Sequence, residues 1–109
     1  MTTDRAPRIL EHGAPPIKES DILGQVRQYL RLKGWLVYRM QQGLGAHRGF
    51  PDLVAAKAGQ VLFVEVKTRT GRLSTFQEVF KQEIESQGLR YLVVRSVDDA
   101  IAFAREGGQ

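Results

Sequence analysis

Three residues that together could handle phosphate chemistry stand close in this 109-residue sequence. Asp52 directly follows Pro51, and Glu65 and Lys67 end the run Val61-Leu-Phe-Val-Glu-Val-Lys67. That run is rich in branched and aromatic residues and reads as a strand. A strand sends alternate side chains to opposite faces, so Glu65 and Lys67 project together, roughly 7 Å apart along the chain. A carboxylate and an ammonium on an otherwise apolar strand are costly to bury without a purpose. A second carboxylate beside them would make a hard, oxygen-rich site suited to Mg²⁺ or Mn²⁺. Sites of that kind hydrolyse phosphodiesters.

Each residue also has a plainer reading. Aspartate after proline is a common turn residue, and Glu65 with Lys67 could be the solvated face of an edge strand, paired for about 0.2–1 kcal/mol. What decides between the readings is whether the chain brings Asp52 back to Glu65. Asp52 to Ala56 reads as a strand, and Ala58-Gly59-Gln60 turns it into the strand Val61 to Lys67. Short runs joined by a few residues that include glycine indicate an antiparallel hairpin. In that hairpin Asp52 returns alongside the Glu65 end of its partner.

The rest of the chain supplies the scaffold. Residues 1 to about 17 hold Pro7, Pro15 and Pro16 without periodicity and read as a flexible arm, leaving one domain over residues 18–109. Ser20 to about Lys33 reads as a helix with Ser20 as N-cap, the stripe Ile22, Leu23, Val26 and Leu30, and Gly34 as its stop. Trp35 to Met40 follows as a strand whose Trp35 and Tyr38 belong in the core. Gln41 to Gly49 is a glycine-rich loop. After the hairpin come a basic loop, Thr68 to Leu73, and a second helix from Ser74 to about Gln87, with Phe76, Val79, Phe80 and Ile84 on one face. Tyr91 to Arg95 reads as a strand, parallel to the third after a helical crossover. A last helix spans roughly Val97 to Arg105, with Ser96 and Asp99 as a capping box. The order is α-β-β-β-α-β-α, an α/β fold on a small mixed sheet flanked by helices.

Composition narrows the classes. With no cysteine, disulfides, zinc–thiolate sites and thiol nucleophiles are excluded. No apolar run approaches the roughly 20 residues that span a bilayer, and the amino-terminal residues lack the apolar stretch of a signal peptide, so no membrane role and a cytoplasmic setting are expected. A net charge of +4 suits a polyanionic partner.

Gly49-Phe-Pro-Asp52 followed by Glu65-Val-Lys67 resembles the signature of the PD-(D/E)xK, restriction-endonuclease-like nucleases. More narrowly, Lys18-Glu-Ser-Asp-Ile22, Gly49-Phe-Pro-Asp-Leu53, Phe63-Val-Glu-Val-Lys-Thr68, Gly71-Arg-Leu-Ser-Thr-Phe-Gln77 and Val93-Val-Arg-Ser96 resemble the VRR-NUC family. The likeness runs from about residue 18 to 104. It implies the restriction-endonuclease-like fold, with Asp52 and Glu65 as metal ligands and the Val66 backbone carbonyl as a further oxygen. Lys67 would position or deprotonate the attacking water. Glu19 matches an early acidic position that assists the metal directly or through water; its plainer role is an acid at a helix start. Asp21 is nearby but in poorer register. Gln77 matches a glutamine that lines the site, although Ser74-Thr-Phe-Gln77 is also a capping box; the two roles are partly exclusive for one side chain, and the active site is the favoured one.

Basic residues surround these positions: Arg39, His47 and Arg48 before Asp52, Arg69 and Arg72 after Lys67. Arg48, Arg69 and Arg72 are the candidates for holding DNA phosphates. The resemblance implies a Mg²⁺- or Mn²⁺-dependent, structure-specific DNA endonuclease. Members consisting of this domain alone look like Holliday junction resolvases working as homodimers in recombination and repair, commonly phage-encoded, acting in the bacterial host or phage-infected cell. The alternatives are a flap-type nuclease and a non-catalytic DNA-binding module on the same fold.

Overall fold

The computed structural model describes residues 17–108. The arm expected over residues 1 to about 17 lies outside them, except at Ile17. Helix α1 spans Glu19–Leu32, β1 Leu36–Arg39, β2 Leu53–Lys57, β3 Gln60–Val66, α2 Thr75–Ser86, β4 Arg90–Val94 and α3 Val97–Phe103, which runs into a π-helical turn over Ala104–Gly108. This is the expected α-β-β-β-α-β-α order. Among the described residues no helix is long and apolar enough to cross a membrane.

The strands form one sheet in the order β1-β2-β3-β4. β1, β2 and β3 are antiparallel in turn, and β4 joins β3 in parallel after the α2 crossover. The β2–β3 turn is tighter than expected. Lys57 pairs with Gln60, leaving only Ala58 and Gly59 as loop, with φ of 51° and 80°. Two consecutive positive φ values make the turn whose twist matches the flanking strands. Its two-residue length fixes the register Leu53↔Val64.

That register sorts the sheet into two faces. Val37, Ala55 and Leu62, then Leu53 and Val64, then Val66 and Val94 point to one face. There they pack with the α1 stripe Ile22, Leu23, Val26 and Leu30 and with Trp35, Ala100 and Phe103 into the principal core. The opposite face carries Phe63, Glu65 and Tyr91, and α2 lies over it. α2 buries one residue, Phe80, which meets Phe50, Phe63 and Tyr91 at centroid distances of 5.6, 5.6 and 6.3 Å. This second, aromatic cluster is small.

Three local expectations are corrected. The N-cap of α1 is Lys18, without a side-chain cap bond; the Ile22 N–H already bonds the Lys18 carbonyl, which places Ser20 inside the first turn. Ser96 caps α3 without a side-chain bond; Asp99 instead accepts from the Arg95 N–H at 2.7 Å. Finally, Tyr38 is 63 % exposed and Phe76 50 %. Tyr38 lies on the sheet face that α2 covers only in part and Phe76 in the first turn of α2 itself, so periodicity placed each on a face but could not show that the face is half open.

Candidate active site

β2 stops at Leu53 while β3 runs on to Val66, so the last N–H of β3 on that edge has no strand to bond. Asp52 supplies the acceptor: the Val66 N–H donates to its Oδ2 at 2.8 Å. The Met40 N–H in turn donates to the Asp52 carbonyl at 2.9 Å, extending the β1 ladder past the end of β2. Asp52 is thus fixed at both its backbone and its side chain.

Proline and glycine set the approach to it. Gly49 has a φ of +89°, and a Cβ there would collide with the backbone carbonyl of Phe76 at the start of α2. Only glycine lets the loop pass so close. Pro51 is fully buried. His47 stacks on Phe50 at 5.1 Å and Phe50 meets Phe80 edge to face, so the loop before Asp52 is held by aromatic packing. The Arg48 guanidinium lies over the exposed Phe76 ring at 5.0 Å.

Glu65 is the one buried charged residue among those described, 3 % exposed. Its Oε2 accepts from the Gln77 amide nitrogen at 2.9 Å and lies 3.3 Å from the Lys67 ammonium. Its Oε1 is buried with no hydrogen-bond partner among the described residues. The carboxyl pKa is pushed from its ordinary 4.5 up to about 7, by burial first and then by the Asp52 charge; Lys67 opposes both, and Glu19 adds a smaller upward push.

Gln77 makes the contacts of both roles, which on sequence are partly exclusive. Its amide oxygen accepts from the Ser74 N–H at 2.8 Å, and its own N–H donates to Ser74 Oγ at 3.1 Å, which closes the capping box of α2. The amide nitrogen remains free to reach Glu65. A primary amide has an acceptor end and a donor end, and the helix start lies against β3 so that each end meets its own partner.

The remaining expected residues are less closely gathered. Glu19, the first residue of α1, is exposed and acts on Glu65 through its charge. Among the described residues no three His, Cys, Asp or Glu side chains come together as a metal-ligand set. Arg69 and Arg72 are exposed on the loop after β3. Arg95, which sequence reasoning left without a role, organises that loop: its Nη1 donates to the carbonyls of Thr68 at 2.7 Å and Gly71 at 2.6 Å. A charged residue ending an otherwise apolar strand was the available signal, the same one that marked Glu65.

Asp52 and Glu65 are the residues that could hold a hard cation. Two carboxylates suffice for an ion that keeps several waters. Glu65 Oε1 is a buried oxygen without a hydrogen-bond partner among the described residues. In an extended strand the N–H and C=O of one residue leave by the same edge, so the Val66 carbonyl faces the Asp52 side as its N–H does.

Comparison with known proteins agrees with this architecture. Residues 20–98 match the VRR-NUC domain. A solved structure described as a VRR_NUC domain superposes with a TM-score of 0.70, covering 80 % of this chain and 94 % of its own, at 21 % identity, a likeness of fold. A "UPF0102 protein" from Synechococcus sp. (strain JA-3-3Ab) is 49 % identical over 47 residues, or 43 % of this chain and 34 % of the relative. The chain therefore spans about a third of that relative's length.

Proposed function

The chain belongs to the VRR-NUC family and carries its nuclease domain, and we propose that it is a Mg²⁺- or Mn²⁺-dependent DNA endonuclease acting through Asp52, Glu65, Lys67 and Gln77. One observation carries the reading. A buried carboxylate is held on one oxygen by Gln77 and Lys67, while its other oxygen stays unpaired beside an Asp52 that is itself anchored to the backbone of Val66.

When bound, a divalent cation lowers the pKa of its water and stabilises the attacking and leaving oxygens of an in-line displacement. The chain's own groups do the rest. Asp52 and Glu65 would hold the cation, with the Val66 carbonyl as a further oxygen and Glu19 assisting directly or through water. Gln77 keeps Glu65 in one rotamer. Lys67 has three donors, so it can remain on Glu65 while it orients the water and offsets charge developing on the phosphate. Arg48, Arg69 and Arg72 grip the phosphates on either side of the scissile bond.

For substrate we favour branched DNA, cut as a Holliday junction resolvase cuts it. Symmetric cleavage of a four-way junction needs two sites and each domain supplies one, so a two-fold homodimer is the natural form. Leu36 and Tyr38, 61 % and 63 % exposed on the open half of the sheet, offer apolar surface for a second copy. A flap nuclease is the alternative within the same chemistry.

Labelled four-way junction, flap and linear duplex incubated with Mg²⁺ or Mn²⁺ test the proposal, alongside a solution-mass measurement. Cleavage of the junction by a dimer, abolished by Asp52→Ala, is expected. No cleavage of any substrate at high protein concentration would leave a DNA-binding module instead. Cleavage that survives Asp52→Ala would place the site elsewhere.

A further inference from the structure

Tyr91 is buried beside the site, and the mechanism above does not use it. In the parallel ladder it stands opposite Phe63, while Glu65 pairs with Val93. Tyr91 and Glu65 are therefore diagonal neighbours on one face of the sheet. The Tyr91 ring packs against Phe80 of α2, and the residue is 8 % exposed. Its hydroxyl is buried without a hydrogen-bond partner among the described residues, as is Glu65 Oε1.

An unpaired buried hydroxyl costs about 1–3 kcal/mol, and a tyrosine with no use for its oxygen could be phenylalanine, as its neighbours Phe63 and Phe80 are. The phenol is also within electrical reach of the site. Its pKa is pushed up by burial first, then by the charges of Glu65 and Asp52. A donor and an acceptor that are both buried, on adjacent strands and one face, and not bonded to each other can be satisfied together by one bridging water.

We propose that the Tyr91 hydroxyl is a positioning group of the active site, donating into a water that it shares with Glu65 Oε1 and so fixing how that oxygen meets the cation. The inference rests on the reading of Asp52 and Glu65 as cation ligands. Partners of this kind orient metal ligands, and their loss typically costs 10–100-fold in metal affinity or activity.

The test is Tyr91→Phe in the full chain, with Asp52→Ala and wild type beside it. Mn²⁺ affinity is measured by calorimetry without DNA, along with Tm, kcat and KM. The expected result is Mn²⁺ binding and kcat each about tenfold weaker, an unchanged KM for DNA, and a Tm equal to or above wild type. Unchanged Mn²⁺ affinity in Tyr91→Phe would overturn the inference while leaving the site intact. Affinity and Tm falling together would also overturn it, by making the residue a packing element. Wild-type protein that neither binds Mn²⁺ nor cuts DNA would remove the proposed function, and this inference with it.

Discussion

Gln77 donates to Glu65 at 2.9 Å from the same amide whose oxygen receives the Ser74 N–H at 2.8 Å. The start of α2 and the buried carboxylate of β3 are therefore joined through one side chain. Replacing Gln77 by Glu keeps the acceptor that the capping box needs but removes the donor and brings a like charge to Glu65. Replacing it by Ala removes both. Gln77→Glu should melt close to wild type yet lose at least about tenfold in cleavage rate. Gln77→Ala should lose activity and, in addition, about 1 kcal/mol of stability. Thermal melts and single-turnover cleavage separate the two.

Glu65 gives the protein a pH dependence with a defined sign. Its carboxyl has a folded-state pKa of about 7 against an ordinary 4.5, so between those values the folded chain holds a proton that the unfolded chain has released. Stability of the metal-free protein from this group is greatest below 4.5 and declines as pH rises towards 7. Glu65→Gln should flatten that decline in melts run from pH 4 to 8. Proton and cation compete for the same carboxylate. Mn²⁺ affinity should therefore rise roughly tenfold per pH unit below about 7 and level off above it, as calorimetry across that range would read.

At Gly49 the backbone is in a conformation that side chains resist, and the space is already filled by the Phe76 carbonyl. Gly49→Ala should cost about 1–3 kcal/mol from the backbone alone, with more from the collision. A Tm lower by at least about 4–8 °C is expected, together with weaker Mn²⁺ binding as the loop before Asp52 is displaced. A variant that melted normally would show that this close approach is not needed.

Arg95 ties the carbonyls of Thr68 and Gly71 to the end of β4, and so holds the backbone that presents Arg69 and Arg72. Both bonds leave one nitrogen, Nη1, and Arg95→Ala removes it. KM for DNA should rise severalfold, consistent with roughly 1 kcal/mol for a lost hydrogen bond, while Mn²⁺ affinity stays at the wild-type value. A change in Mn²⁺ affinity instead would tie the clasp to the metal site.

The hairpin and its carboxylates were legible in the sequence because their signals are local and agree. The β-branched run from Val61, the Ala58-Gly59 turn and the phase of Glu65 and Lys67 all demand one register. The α1 stripe was equally plain, and Ile22, Leu23, Val26 and Leu30 are all buried. What could not be read depends on where elements lie against each other. Phe76 and Val79 share a face with Phe80, yet only Phe80 meets the sheet closely enough to be buried. The double use of Gln77 was hidden because nothing local says that the start of α2 lies against Glu65. Tyr91 reads as an ordinary strand aromatic until β4 is set beside β3.

The two clusters of this fold are unequal, and that inequality bears on motion. α1 buries four residues, whereas α2, which lies over Glu65, buries only Phe80. Local opening follows the density of buried contacts. Amide protons of α2 should therefore exchange with solvent well before those of α1, the side of the sheet that bears the carboxylates opening while the opposite side stays folded. Of the two helices, the more loosely packed one lies over the proposed cutting site.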